Sequence, residues 1–171
     1  MTTKFTEFKE SMTTELTDFI QSQARALSLA DLDQLIIDLP ALRERFAKIP
    51  SQTHPYLSGQ LEFLCLFVEE QVVRRSHDLA EEPVGEAAFA LLYFQRASDL
   101  IPDLIPGMGM LDDAMIVSMV LRRQERAFKR SPYGYMLRWP EPKFDVDELL
   151  EVISPLRVSS FCSSLAIRPP A

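Results

Sequence analysis

Cysteine is nearly missing from this chain of 171 residues: Cys65 sits in an apolar run and Cys162 lies near the end. Two thiols make no disulfide framework, so a reducing cytosol is the expected compartment. Histidine is as scarce, with His54 in a loop between Pro50 and Pro55 and His77 at a helix end. Zinc-type Cys/His spacing is therefore lacking, as are paired CxxC, HExxH, a phosphate loop and a Gly-x-Ser-x-Gly elbow. An enzyme becomes the less favoured class, and no cofactor is expected. An excess of positive charge is also missing: 18 Lys and Arg stand against 25 Asp and Glu, a formal charge of −7. That balance argues against non-specific nucleic-acid binding. No apolar run reaches the roughly 18 residues that a membrane span needs. The central segment comes nearest, but Glu86, Arg96, Asp99 and Asp103 break it. A basic stretch leading into an apolar one, the mark of a secretory signal, is not found at the start. The expected location is the cytoplasm, with peripheral contact to a membrane as its variant.

What remains is an apolar share of 47%, enough for one domain around one core. Phe5, Phe8, Met12, Leu16, Phe19, Ile20 and Leu27 recur at three- and four-residue steps, one stripe of an amphipathic helix. The stripe is read as packing on the domain's own core, with a partner helix as the other use. Its polar face lacks the Lys/Arg excess of membrane-surface helices. Ser28 and Asp31 resemble a capping box opening a second helix with Leu29, Leu32, Leu35, Ile36 and Leu39 inward. Pro40 is expected to interrupt it and begin a short third helix carrying Leu42, Phe46 and Ile49. A further helix should run from Tyr56 towards His77, nearly apolar all round through Leu57, Leu61, Phe63, Leu64, Leu66, Phe67, Val68 and Val72. The unbroken run Ala87 to Phe94 makes a second central helix. A last bundle helix carries Ile116, Val117, Val120 and Leu121, then turns basic up to Arg130.

Between these helices stands Asp99-Leu-Ile-Pro102-Asp103-Leu-Ile-Pro106-Gly-Met-Gly109-Met-Leu-Asp112-Asp113. Each proline biases the preceding isoleucine towards extended geometry, so no helix continues smoothly through. Asp99, Pro102, Asp103, Pro106, Gly109, Asp112 and Asp113 form the structural motif, with Asp112 expected as an N-cap and Asp113 in the first turn. Tyr93-Phe94-Gln95-Arg96-Ala97-Ser98 running into this motif resembles the YkvA-like family of small bacterial helical domains of unknown function. The resemblance is dense from about Tyr93 to Leu121 and covers under half of the chain. It implies a helical fold, with some members tied to membranes, and no established catalytic residue.

After Ser131 comes a connector with Pro132, Gly134, Pro140 and Pro142, then a short helix opened by Phe144 and Asp145 and stopped by Pro155. Val158, Phe161, Cys162 and Leu165 fall at helical spacing in the serine-rich tail, which makes it a candidate docking segment.

The reading is all-α: a helical bundle with two central apolar helices joined by a Pro/Gly/Asp turn. Residues 1–131 form the helical domain, with the family-like part at about 57–130, and residues 132–171 a C-terminal extension. The leading function is a non-enzymatic protein-interaction or adaptor module. Its partner contacts are sought at Phe161, Leu165, Arg122, Arg123 and Arg126. No nucleic acid is expected, and self-association is compatible with the reading. The first alternative is a peripheral membrane module using Arg122 to Arg130, set against the plainer reading of a solvated basic face. The second is a metal-dependent enzyme at Asp99, Asp103, Asp112 and Asp113, set against those aspartates serving helix ends.

Overall fold

The computed structural model describes residues 2–74, 82–96 and 110–137. Within them the chain is all-α, with six α-helices and no strand. The first helix, α1, runs Thr2–Arg25. Its second half buries Leu16 and Ile20, and Phe19 sets its ring edge-on to Phe89, 5.6 Å between centroids. This half of the aromatic stripe is thus spent on the domain's own core. The side chains of Phe5, Phe8 and Met12 lie outside the described residues.

Helix α2, Leu29–Phe46, opens with the anticipated capping box. The Asp31 N–H donates to Ser28 Oγ at 3.2 Å, and the Ser28 N–H returns a bond to Asp31 Oδ2 at 2.7 Å. These bonds from Ser28 hold the Asp31 carboxyl below its ordinary value. The expected interruption at Pro40 does not occur: α2 passes through it. A proline in a helix interior costs about 3 kcal/mol. Here Pro40 faces solvent, and the buried stripe Leu32, Leu35, Leu39, Leu42 and Phe46 keeps its register across it. Leu42 and Phe46, each worth about 1.5–3 kcal/mol when buried, offset the loss.

Helix α3, Leu57–Arg74, and helix α4, Glu82–Gln95, are the two central apolar helices. Pro83 lies in the first turn of α4, where its missing N–H costs nothing. Helix α4 packs against α1, α2, α3 and the next helix, α5, Leu111–Arg123. Met115 and Met119 of α5 are buried core residues.

One basic helix was expected from Ile116 to Arg130, but the chain breaks at Gln124 (φ −103°, ψ 17°) and restarts as α6, Glu125–Arg130. The bend lays α6 over α3. Phe128 is wholly buried there, edge-on to Phe63 and Phe67 with centroids 5.4 and 4.8 Å away. Ser131 closes α6 by donating both its N–H and its hydroxyl to Phe128 O, at 3.1 and 2.7 Å. Gly134 then approaches so closely that a Cβ there would stand 2.6 Å from Lys129 O and 2.7 Å from Phe128 O. A 3-10 turn, Gly134–Met136, follows, with Tyr133 and Leu137 packed against the core.

Candidate functional site

The polar chemistry of the core gathers on the facing sides of α4 and α5. At one end, the Tyr93 hydroxyl donates to Asp112 Oδ2 at 2.6 Å, with Asp112 wholly buried. At the other, Arg123 donates from Nε to both oxygens of Glu86 at 3.2 Å and from Nη2 to Glu86 Oε1 at 2.9 Å. The last turns of α4 meet the first turn of α5, and the reverse, so the two helices are antiparallel. Tyr93 and Glu86 are two turns apart, which places the ties about 10 Å from each other along α4.

Glu86 has no exposed side-chain surface, whereas Arg123 keeps 21% of its own. Arg123 also reaches Glu82 Oε1 at 3.0 Å, and the same oxygen accepts from Gln21 Nε2 at 2.9 Å. Helices α1, α4 and α5 are therefore joined through one carboxylate oxygen of Glu82. The hydrogen bonds of Arg123 to Glu86 push its pKa above the ordinary arginine value. For Arg123 this corrects the plain reading of the basic helix end as a solvated face, while Arg122, Arg126, Lys129 and Arg130 are exposed as that reading expects. Arg123 is a core ligand of Glu86, and Lys129 is paired with Glu125 one turn away. Arg122 and Arg126 are exposed, on α5 and α6 respectively.

The start of α5 also departs from expectation. Its N-cap is Met110, in the left-handed region at φ 68°, ψ 6°, a conformation that costs a non-glycine residue about 1–2 kcal/mol. Asp112 stands two residues further in, within the first turn, and its carboxylate is turned inward to Tyr93. Asp113 is 4% exposed and shares the first turn, where the helix dipole favours negative charge.

The last turn of α4 is held from the opposite side by α2. Arg45 donates to the carbonyl oxygens of Phe94 and Gln95, both at 3.1 Å. Its guanidinium also lies 4.9 Å from the Phe94 ring centroid, a cation–π contact. Gln95 Nε2 donates back to Asp38 Oδ2 at 2.7 Å. A second arginine of α2, Arg43, grips α3 through Glu62 at 2.8 Å and both oxygens of Glu69 at 2.9 and 2.8 Å. Beside it Cys65 is fully buried, and burial pushes its thiol up to about 12. It packs as a small apolar residue, as its neighbours in sequence suggest.

Of the motif residues, Asp112 and Asp113 are placed by the structure. Asp99, Pro102, Asp103, Pro106 and Gly109 lie outside the described residues, as do the tail candidates Phe161 and Leu165. Among the described residues no three metal-ligating side chains converge, and no helix is long and apolar enough to cross a membrane. The sequence does not show that Glu86 and Tyr93 each tie α4 to α5. The available signal was a lone carboxylate inside an otherwise apolar helix, which has to find a cation.

The Tyr93–Asp112 tie and the Glu86 half of the other lie where a known family finds its match. Residues 84–119 match the family described as protein of unknown function, DUF1232. The DUF1232 stretch contains Glu86, Tyr93, Asp112 and Asp113 and ends before Arg123. It supports a small domain of unknown function in the centre of the bundle. No curated protein and no solved structure matches the chain.

Proposed function

We propose that the chain is a non-enzymatic protein-interaction module, an adaptor built on a firmly tied helical body and working in the cytoplasm. One observation supports this reading above the others: how the buried polar groups are used. A general acid, base or nucleophile has to reach a substrate. Glu86 and Asp112 are wholly buried, and each is bonded to another helix. The finer family reading, YkvA-like, rests on the residues from Tyr93 through the Asp-Leu-Ile-Pro repeat and belongs to the same proposal.

The test is quantitative recovery of a partner with the tagged full chain, compared with Leu29→Glu/Ile37→Glu, two residues 61% and 70% exposed on the outside of α2. A stoichiometric partner held by the wild type and lost by this variant, at equal melting temperature, supports an interaction module. Recovery of no stoichiometric partner in the native cell extract counts against it.

A second reading is peripheral contact with an anionic membrane. It is favoured by the exposed Arg126 and Arg130 of α6 beside Tyr135, 83% exposed. Basic residues near an anionic leaflet contribute about 1 kcal/mol each. Cosedimentation with phosphatidylserine vesicles near physiological salt, abolished by Arg122→Glu/Arg126→Glu/Arg130→Glu, would promote it over the first.

A further inference from the structure

The corner made by α6 and the Gly134–Met136 turn is set by a contact that a side chain would block. A Cβ on Gly134 would stand 2.6 Å from Lys129 O, so the turn lies directly on the last turn of α6. The Gly134 N–H donates to Ser131 O at 3.0 Å, and the Met136 N–H to Tyr133 O at 2.9 Å. Tyr133 and Leu137 pack against the core on either side. Between these fixed points Tyr135 and Met136 are left 83% and 42% exposed. An aromatic ring held in water on a fixed backbone gives up little further freedom on binding, which suits an anchor residue.

Beside that ring stand two cations. Arg126 and Arg130 are exposed on α6, one turn apart, a spacing that sets Cβ atoms about 5–6 Å from each other. Glu125, the one carboxylate in that helix, is taken by Lys129. Among the described residues neither Arg126 nor Arg130 meets a carboxylate. Elsewhere in the fold arginine is matched to carboxylate oxygens in pairs: Arg43 holds both of Glu69, and Arg123 both of Glu86. The planar guanidinium fork favours that geometry.

We propose that this corner binds an acidic segment of a partner protein, whose carboxylates meet Arg126 and Arg130 while an adjacent large apolar side chain packs on Tyr135 and Met136. Charge selects and orients the partner, and the aromatic contact holds it. An extended anionic surface is the poorer fit, because a chain of formal charge −7 is repelled by it as a whole. A short acidic segment meets the corner alone. The inference rests on the reading of the chain as an interaction module and adds the chemistry of one partner.

The probe is a random library of short peptides, panned against the immobilised full chain. Sequences with paired Asp or Glu beside Leu, Phe or Trp should be enriched, and panning against Arg126→Gln/Arg130→Gln should lose that enrichment. For an enriched peptide, fluorescence anisotropy should show binding about fivefold weaker with Arg126→Gln/Arg130→Gln, the scale of losing two exposed ion pairs. Tyr135→Ser should weaken it about tenfold or more, and added salt should weaken binding to the wild type. Melting temperatures report whether the variants fold, and Arg126→Lys/Arg130→Lys, which keeps the charge, should bind better than the glutamine pair. Enrichment of peptides without carboxylates, or affinities unchanged in the arginine and tyrosine variants, overturns the proposal. Arginine-dependent pelleting on phosphatidylserine vesicles without acidic enrichment overturns it in favour of lipid. Self-association of the wild type that is lost in Arg126→Gln/Arg130→Gln overturns it in favour of a second copy. A cellular partner lost with Leu29→Glu/Ile37→Glu, found without acidic enrichment in the library, would leave the interaction module standing and overturn only the partner chemistry proposed for this corner.

Discussion

Removing Arg123 while keeping Glu86 should be among the most destabilising single changes in the protein. Arg123→Met retains most of the apolar stem but takes the guanidinium from a carboxylate with no exposed surface. Breaking a buried ion pair from one side costs about 3–5 kcal/mol, because the remaining charge stays buried without its partner. Glu82, half exposed, can turn to water, so it adds little. A domain of this size has about 5–15 kcal/mol of stability. With a urea slope of about 2 kcal/mol per molar, the unfolding midpoint should fall by about 2 M at unchanged slope. Glu86→Leu/Arg123→Met removes both charges and should recover most of the loss, since an apolar pair of similar volume is often neutral or better. The pair of single variants and the double form a cycle whose coupling should exceed about 2 kcal/mol. A cost below about 1 kcal/mol for Arg123→Met, or strict additivity in the cycle, would refute the view that this tie holds α5 to α4.

Tyr93→Phe removes the donor to Asp112 and should cost about 1–3 kcal/mol in urea unfolding, while Asp112→Asn, which keeps an acceptor oxygen, should be milder. EDTA should leave the wild-type midpoint unchanged; a loss as large as that of Tyr93→Phe would point to a metal at the aspartate turn. Gly134→Ala should destabilise by about 1–3 kcal/mol, the usual range for overpacking, since the added methyl would press on two backbone carbonyls; an unchanged melting temperature would contradict this contact. Because Ser28 lowers the Asp31 pKa in the fold, that bond adds stability above the unfolded value and loses it as pH falls through the lower folded one. Ser28→Ala should therefore cost about 1 kcal/mol near neutral pH and flatten stability against pH below about 4, read by thermal melts across that range. Cys65, with its thiol at about 12, should resist a thiol-specific dye in the native state and react only on unfolding.

Much of the bundle was legible because burial in helices writes a regular period. The second half of the α1 stripe, the α2 stripe from Leu32 onward, the apolar girth of α3 and the run in α4 could be read from spacing, and the Ser28 capping box from residue types alone; Leu29, expected inward, is 61% exposed. What failed did so for non-local reasons. Pro40 reads as a break until one knows that Leu42 and Phe46 are worth more inside the core than the missing bond. The bend at Gln124 follows from where Phe63 and Phe67 stand, on a helix some sixty residues earlier. Arg123 looked like one cation in a basic cluster, because nothing near it in sequence says that Glu86 waits opposite. Asp112 has the composition of a cap, but Tyr93 competes for its carboxylate.

The grip of Arg45 on the end of α4 bears on where the information for that end is stored. Many helices stop at a glycine whose left-handed backbone satisfies the last carbonyls. Here Gln95 is followed by Arg96, Ala97 and Ser98, with no glycine, and the carbonyls of Phe94 and Gln95 are satisfied by a side chain half a hundred positions earlier. The stop signal of α4 is thus written in α2. A graft of the stretch from α4 to α5 into another scaffold would leave its punctuation behind unless Arg45 and Asp38 travelled with it.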